Sequence, residues 1–238
     1  MCTVSWIQNS DRYHLLCNRD EKRTRKRAMP PQFKESLGTR YLAPTDGDSG
    51  GSWIAANQYG LSLCLLNGDQ LPAPPDAMSH RRSRGLLLLD LIPLASLADL
   101  RGQIVNSDLS CYAPFTLLAL ELGLPALVGE WNGRQNTLYE LASPVSMLTS
   151  SSFDTVSVRN YRQERFNATA PSLTELSRFH RSHSAGPSAY SICMHRADAE
   201  TVSLSQVCMT AHQVEFVYTP AAPCRSAHAA TSCHRLIR

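Results

Sequence analysis

The chain lacks any apolar run long enough to matter to a membrane. Leu86–Leu89 is followed by Asp90 and Pro93, far short of the roughly 20 residues that a spanning helix requires. The N-terminal stretch MCTVSWIQNSDRYHLLCNRDE has no charged start followed by a long apolar segment, so no secretory signal is expected and a cytoplasmic location follows. C-x-x-C spacing is absent as well. The eight cysteines, at 2, 17, 64, 111, 193, 208, 224 and 233, read as thiols of a reducing compartment, mostly buried. Cys224, His228, Cys233 and His234 gather near the C-terminus but follow no common zinc spacing. No metal and no organic cofactor are therefore expected. Strong charge of one sign is missing too, with a formal net charge of +3. The segment Arg19–Arg27 carries six basic residues against two acidic ones, yet no aromatic residue is interleaved to stack on bases. It reads as a solvated strand end and loop, and no nucleic-acid partner is implied.

What is present describes a globular protein. With 238 residues, 43% of them hydrophobic and 18% charged, the chain suits one large domain with one core. That domain is expected over residues 1–220, with 221–238 a loose tail. Residues 3–8 and 13–18 are apolar or alternating runs separated by Asn9-Ser10-Asp11-Arg12, which predicts a β-hairpin starting at the second residue. Ser52–Ala56 and Leu61–Leu66 predict a second pair joined through Asn57–Gly60. Leucine-rich residues 84–104 follow a helical period broken at Pro93 and Gly102. Phe115–Leu120, Ala126–Trp131 and Leu138–Leu141 read as strands. Ser172 with Glu175 forms a capping box that opens a helix over 172–183. Tyr190–His195, Thr201–Val207 and Val214–Tyr218 complete the pattern as strands. Runs of strands and helices segregated in this way predict a layered α+β fold rather than βαβ units.

The second residue carries the chemistry. Removal of Met1 would leave Cys2 with a free α-amino group of ordinary pKa about 7.7–8.0, placing a thiol nucleophile and its base on one residue. Antiparallel pairing in the first hairpin brings Asn18-Arg19-Asp20-Glu21 beside it. From there Arg19 would lower the thiol pKa, and Asp20 would accept a hydrogen bond from the α-ammonium.

These residues carry a resemblance. MCTVSW and YHLLCNRDE, followed by GGSWIAANQYGLSLCLLN, resemble the NRDE domain of the transport and Golgi organisation protein 2 family. More distantly they are similar to the cysteine N-terminal-nucleophile (Ntn) hydrolases that include bile-salt hydrolase and penicillin V acylase. The resemblance implies a four-layer αββα sandwich. It also implies Cys2 as nucleophile, Asp20 as the carboxylate that holds the α-amine, Arg19 as its neighbouring arginine, and the Asn67 backbone amide as part of an oxyanion hole. Ser150 stands where the acylases carry a catalytic asparagine. Ser177-Arg178-Phe179-His180-Arg181 resembles the acylase helix that supplies a further arginine, here Arg178 or Arg181. His195 reads as a strand histidine rather than a base, since the α-amine fills that role. The implied activity is hydrolysis or acyl transfer at a linear amide C–N bond of a small acylated amine. The rival implication is a non-catalytic haem- or lipid-handling protein on the same fold, for which His14, His180, His183 and His195 offer no diagnostic arrangement.

The basic run generates a first prediction. Affinity for duplex or single-stranded DNA should be weak, fall steeply with added salt and show no base preference. A fluorescence-anisotropy titration at rising salt checks this, and tight binding that survives high salt would refute it.

Overall fold

A computed structural model describes residues 2–68, 82–183, 186–228 and 231–238. Its first hairpin is made by Asn9, whose side-chain oxygen accepts from the backbone N–H groups of Asp11 and Arg12 at 3.1 and 2.9 Å. That Asx turn reverses the chain between β1 (Cys2–Gln8) and β2 (Arg12–Lys22). β2 runs four residues past the expected Asn18, so Arg19, Asp20 and Glu21 are strand residues with alternating faces rather than the start of a loop.

β1 and β2 sit inside a six-stranded antiparallel sheet together with β10 (Val145–Ser150), β11 (Ala199–Thr210), β12 (Gln213–Thr219) and β13 (Ser232–Ile237). The strand order is β10-β1-β2-β11-β12-β13. The second sheet holds seven strands in chain order: β3 (Met29–Ser36), β4 (Thr39–Thr45), β5 (Ile54–Asn57), β6 (Ser62–Asn67), β7 (Phe115–Leu120), β8 (Ala126–Trp131) and β9 (Asn136–Leu141). Helices α1 (Arg84–Leu91) and α2 (Leu97–Val105) cover this second sheet, and α3 (Thr155–Asn167) and α4 (Leu173–Arg181) cover the first.

Three apolar cores bind these four layers, two of sheet and two of helix. Val4, Trp6, Tyr13 and Phe216 of the first sheet meet Ile54, Leu66, Leu118 and Val128 of the second. Leu63, Leu65 and Leu117 meet Leu88 and Leu100 of α1 and α2, while Leu16 and Leu204 meet Phe166 and Phe179 of α3 and α4. The result is the αββα sandwich.

Several expectations are corrected. β3 and β4 were not foreseen because Pro30, Pro31 and a run of charged residues mask the alternation in a strand at the sheet edge, where proline is tolerated. Gly102 does not break α2; its Cα faces open space and a methyl added there would touch nothing. Residues 190–195 form no strand, and only His195 makes an isolated bridge, to Glu200. The expected loose tail contains β13, which pairs with β12 from Gln213↔Ile237 to Tyr218↔Ser232. α3 also escaped the sequence pattern: its buried residues are Val158, Arg162 and Phe166, a helical i, i+4, i+8 stripe whose middle member is charged.

At the ends of the strands remote from Cys2, the two sheets are joined by polar contacts. Tyr13 Oη donates to the Gly60 carbonyl at 3.0 Å and to Ser62 Oγ at 2.7 Å. The Arg238 guanidinium donates to the carbonyls of Tyr59 at 2.6 Å and Thr210 at 2.8 Å. Gly60, at φ +97°, lies in the left-handed region that favours glycine, directly under the Arg238 guanidinium.

Tyr13→Phe leaves the Gly60 carbonyl and Ser62 hydroxyl without this donor between the sheets. It should cost about 1–3 kcal/mol, read in urea as a lower midpoint with an unchanged slope.

Candidate active site

Antiparallel register puts Cys2 opposite Arg19 on one side and opposite Ser150 on the other. Side chains alternate across a sheet. Cys2, Val4 and Cys17 therefore face the space between the sheets, while Thr3, Asn18 and Asp20 face the helices. The end of this intersheet space opens as a cavity of about 330 Å³, bounded by Cys2, Arg19, Asp20, Asp46, Trp53 and Asn67. The opposite rim is the start of α1, which approaches so closely that a Cβ on Gly51 would lie 2.5 Å from the Gly85 carbonyl carbon. Glycine is required on this rim by backbone contact alone.

Cys2, Arg19, Asp20 and Asn67 are thus brought together, and Ser150 lies beside them. Ser150 contacts the Cys2 nitrogen. Its Oγ accepts the Cys2 backbone N–H at 3.2 Å in a buried position, on the nitrogen that Met1 removal would turn into the α-amine. Arg178 and Arg181 do not join the site. Arg178 is 72% exposed and paired with Glu175, and Arg181 is also exposed. The buried face of α4 is Leu176, Phe179 and His180, which turns both arginines to solvent.

The arginine buried on the helix side of the sheet is Arg162, from α3. Its Nη1 donates to Thr3 Oγ1 at 2.8 Å and Thr149 Oγ1 at 2.9 Å and lies 3.6 Å from Asp20 Oδ2; its Nη2 donates to the Ser191 carbonyl at 2.9 Å. Burial lowers its pKa, and the Asp20 carboxylate opposes that shift. Asp20 Oδ1 in turn accepts from Thr201 Oγ1 at 2.6 Å, beside a β-bulge where the register of β11 on β2 slips between Thr201 and Ser203. His180 is buried against Ser5 Oγ at 2.8 Å. Burial, with the Arg162 charge added, lowers its pKa to about 3, so it is a neutral imidazole.

The thiol itself departs from expectation. Arg19 was expected to lower the Cys2 pKa, but its guanidinium is committed to Asp46 and Glu21 and lies 4.4 Å over the Trp53 ring. The thiol instead bonds to Cys17, and that bond together with burial pushes it well above its ordinary value. Cys17 and Cys64 sulfurs are 3.6 Å apart, so the nucleophile candidate heads a file of three buried thiols. Asp46 is the counter-ion of the rim. Burial raises its pKa, but hydrogen bonds from Ser49 and Arg25 and the charge of Arg19 outweigh this and hold the carboxyl below its usual range.

Arg162, Asp46, Trp53 and Thr201 were missed by sequence reasoning. Arg162 had a signal, since it occupies an apolar slot of the Val158–Arg162–Phe166 stripe. Asp46 and Trp53 reach the cleft only through the folding of the second sheet over the first.

Comparison with known proteins follows this geometry. A family model described as Transport and Golgi organisation 2 matches residues 1–200. No curated protein matches the chain. Among solved structures, a Caenorhabditis elegans N-acylethanolamine-hydrolyzing acid amidase ortholog superposes with TM-score 0.62 at 13% identity, covering 86% of this chain and 91% of that one. Penicillin V acylase from Agrobacterium tumefaciens gives 0.57 at 11% identity, covering 93% and 83%. The C2A mutant of conjugated bile acid hydrolase from Clostridium perfringens gives 0.56 at 12%, covering 100% and 92%. At these identities the likeness shows the fold, which is that of the Ntn hydrolases.

Arg162→Leu strands a buried carboxylate and should cost about 3–5 kcal/mol in urea unfolding. Adding Asp20→Leu should recover part of that loss in a double-mutant cycle. Strict additivity of the two would show that the pair is not coupled.

Proposed function

The chain belongs to the Transport and Golgi organisation 2 family, and on that premise we propose that it is a cysteine amidohydrolase or acyltransferase acting on a linear amide C–N bond of a small acylated amine. One observation carries this reading: Cys2 lines a cavity of about 330 Å³ while its nitrogen is oriented by Ser150 Oγ at 3.2 Å. Nucleophile, prospective base and substrate space meet at one residue.

In the proposed mechanism Met1 is removed and the Cys2 nitrogen becomes an α-amine. The raised thiol pKa makes this base essential, because little thiolate exists at neutral pH without one. Ser150 Oγ accepts one amine N–H and leaves the nitrogen lone pair for the thiol proton. The thiolate attacks the amide carbonyl carbon, and the tetrahedral oxyanion forms beside Asn67. Collapse expels the amine, which takes the proton held by the α-ammonium, and leaves a thioester. Water hydrolyses the thioester in the amidase; a second amine takes the acyl group in the transferase. Asp20 and Arg162 act as positioning residues, fixing the backbone at the end of β2 from the helix side.

The cavity limits the acyl group, being near the lower end of the range for small-molecule sites. Its rim sets Arg19, Arg25 and Arg84 beside Asp20, Glu21 and Asp46, which favours a polar group beyond the scissile bond.

The test begins with the intact mass of the purified protein, expected to lack methionine. N-acylethanolamines, penicillin V, conjugated bile acids and N-acyl amino acids are then offered, and released amine is measured by fluorogenic derivatisation. Turnover should vanish in Cys2→Ala. In Ser150→Ala it should fall roughly 100-fold, the scale of general-base positioning. A mature chain that retains Met1 would sink the mechanism. Haem bound equally by wild type and Cys2→Ala, with no amine released from any amide, would replace the enzyme with the carrier.

A further inference from the structure

A second cluster of reactive side chains lies apart from the cavity around Cys2 and shares no residue with it. His183 follows α4, Cys193 and His195 belong to the segment leading into β11, and Cys224 stands in the short 3-10 turn Pro223–His228 before β13. Distant stretches of chain thus deliver four side chains to one point. One ligand atom from each lies within 4.8 Å of all the others. His195 Nε2 is 3.1 Å from His183 Nε2, 3.3 Å from Cys224 Sγ and 3.6 Å from Cys193 Sγ. The rings of His183 and His195 meet edge-on with centroids 5.0 Å apart.

These distances can be compared with a metal site. Tetrahedral zinc with bonds of about 2.05 Å to nitrogen and 2.3 Å to sulfur has ligand–ligand edges of roughly 3.3 Å for N···N, 3.6 Å for N···S and 3.8 Å for S···S. The three edges at His195 Nε2 fall within a few tenths of an ångström of the corresponding values, and the remaining edges lie within 4.8 Å. Hydrogen bonding alone gives a poor account of the same arrangement, because His195 Nε2 has three neighbours and only one proton or one lone pair to share among them.

The surroundings supply an independent observation. His195 Nδ1 is buried without a hydrogen-bond partner and lies 3.9 Å from Glu200 Oε2, whose other neighbour is the Arg225 guanidinium at 3.5 Å. A metal-bound histidine characteristically turns its remaining N–H toward a carboxylate. Zinc on Nε2 fixes the proton on Nδ1 and directs it at Glu200, giving the buried Nδ1 a partner. Soft thiolates with imidazoles select zinc over magnesium or calcium. Four protein ligands leave no open position, which is the arrangement of a structural rather than a catalytic site.

We propose that His183, Cys193, His195 and Cys224 form a Cys2His2 site for a structural zinc ion. Binding joins Zn²⁺ to two imidazole nitrogens and two sulfurs, releases the two thiol protons to solvent and leaves a neutral centre. The ion staples the turn before β13 to the segment before β11. That segment is bonded to the catalytic sheet: Met194 N–H donates to Thr201 Oγ1 at 2.8 Å, and Thr201 Oγ1 donates to Asp20 at 2.6 Å. Cys224, His228, Cys233 and His234 of the tail, from which no metal site was expected, do not together form this one. Cys224 alone contributes; Cys233 is exposed, His234 packs edge-on against Phe33, and the His228 side chain lies outside the described residues.

The test uses the full chain, expressed with zinc, purified under reducing conditions and dialysed into metal-free buffer. Plasma mass spectrometry should find about one zinc per chain. Cobalt(II) exchanged into the site should give thiolate charge-transfer absorption and the visible bands of a tetrahedral ion. Cys224→Ser and His183→Ala, both on the outer side of the cluster, should lose the metal and the spectrum while far-UV circular dichroism stays near wild type. Cys111→Ser/Cys233→Ser should keep both. Zinc at background level in the fully reduced wild type overturns the proposal. So does zinc retained by Cys224→Ser together with His183→Ala, and so does a Cys193–Cys224 disulfide seen as a two-dalton mass deficit in chain prepared without reductant but with zinc present. None of these results bears on amide turnover at Cys2.

Discussion

A buried guanidinium holds the Cys2 end of the sandwich in place. Arg162 is almost fully enclosed, with its side chain 1% exposed, and its donors reach β1 at Thr3, β10 at Thr149 and the segment before β11 at Ser191. Facing Asp20 it also reaches β2. Desolvating such a charge costs several kcal/mol, which is recovered only when every donor is placed. That condition forces α3, two strands on either side of Cys2 and the loop before β11 into one mutual position. The thiol of the nucleophile candidate lies on the other face of the same strand end, and the network holds its backbone, since Thr149 Oγ1 donates to the Cys2 carbonyl at 3.3 Å.

The environment of the thiol follows from this division of the sheet. One face supplies charge and hydrogen bonds, and the other supplies Cys17, Cys64 and apolar side chains that suppress ionisation. A sulfur in such surroundings is unreactive until a base reaches it. Arg19, opposite Cys2 in register, is drawn away by Asp46 and Trp53 and becomes part of the cavity rim. The charge pattern therefore protects the thiol and polarises the space in front of it.

The sequence made the β1–β2 hairpin legible because Asn9 closes its turn and the apolar residues alternate. The register followed, and with it the approach of Arg19 and Asp20 to Cys2. The β5–β6 pair, the β7–β8 strands and the break at Pro93 were readable for similar local reasons. Arg178 was misplaced because the motif Ser-Arg-Phe-x-Arg names residue types without saying which face of α4 is buried. The arginine that is buried against Asp20 lay 16 positions earlier, hidden because a charged residue in an apolar stripe weakens the very period by which a helix is recognised. Ser150 was located but its partner was not, since a strand neighbour across β1–β10 is a property of the sheet and no local signal announces it. The His183, Cys193, His195 and Cys224 cluster was invisible for the same reason, its members being gathered by tertiary folding from segments with no metal-binding spacing.

The clasp made by Arg238 at the far end gives the sandwich the mechanics of a clothes peg. Its donors tie the β5–β6 turn to the β11–β12 turn, with Tyr13 just inside. The seven residues of β1 put Cys2 on the order of 20 Å from this clasp, at about 3.4 Å per residue. Any spreading of the sheets is then a rotation about the clasped end, so a small angular give there becomes the largest displacement at the jaws, where Cys2 and Trp53 face each other.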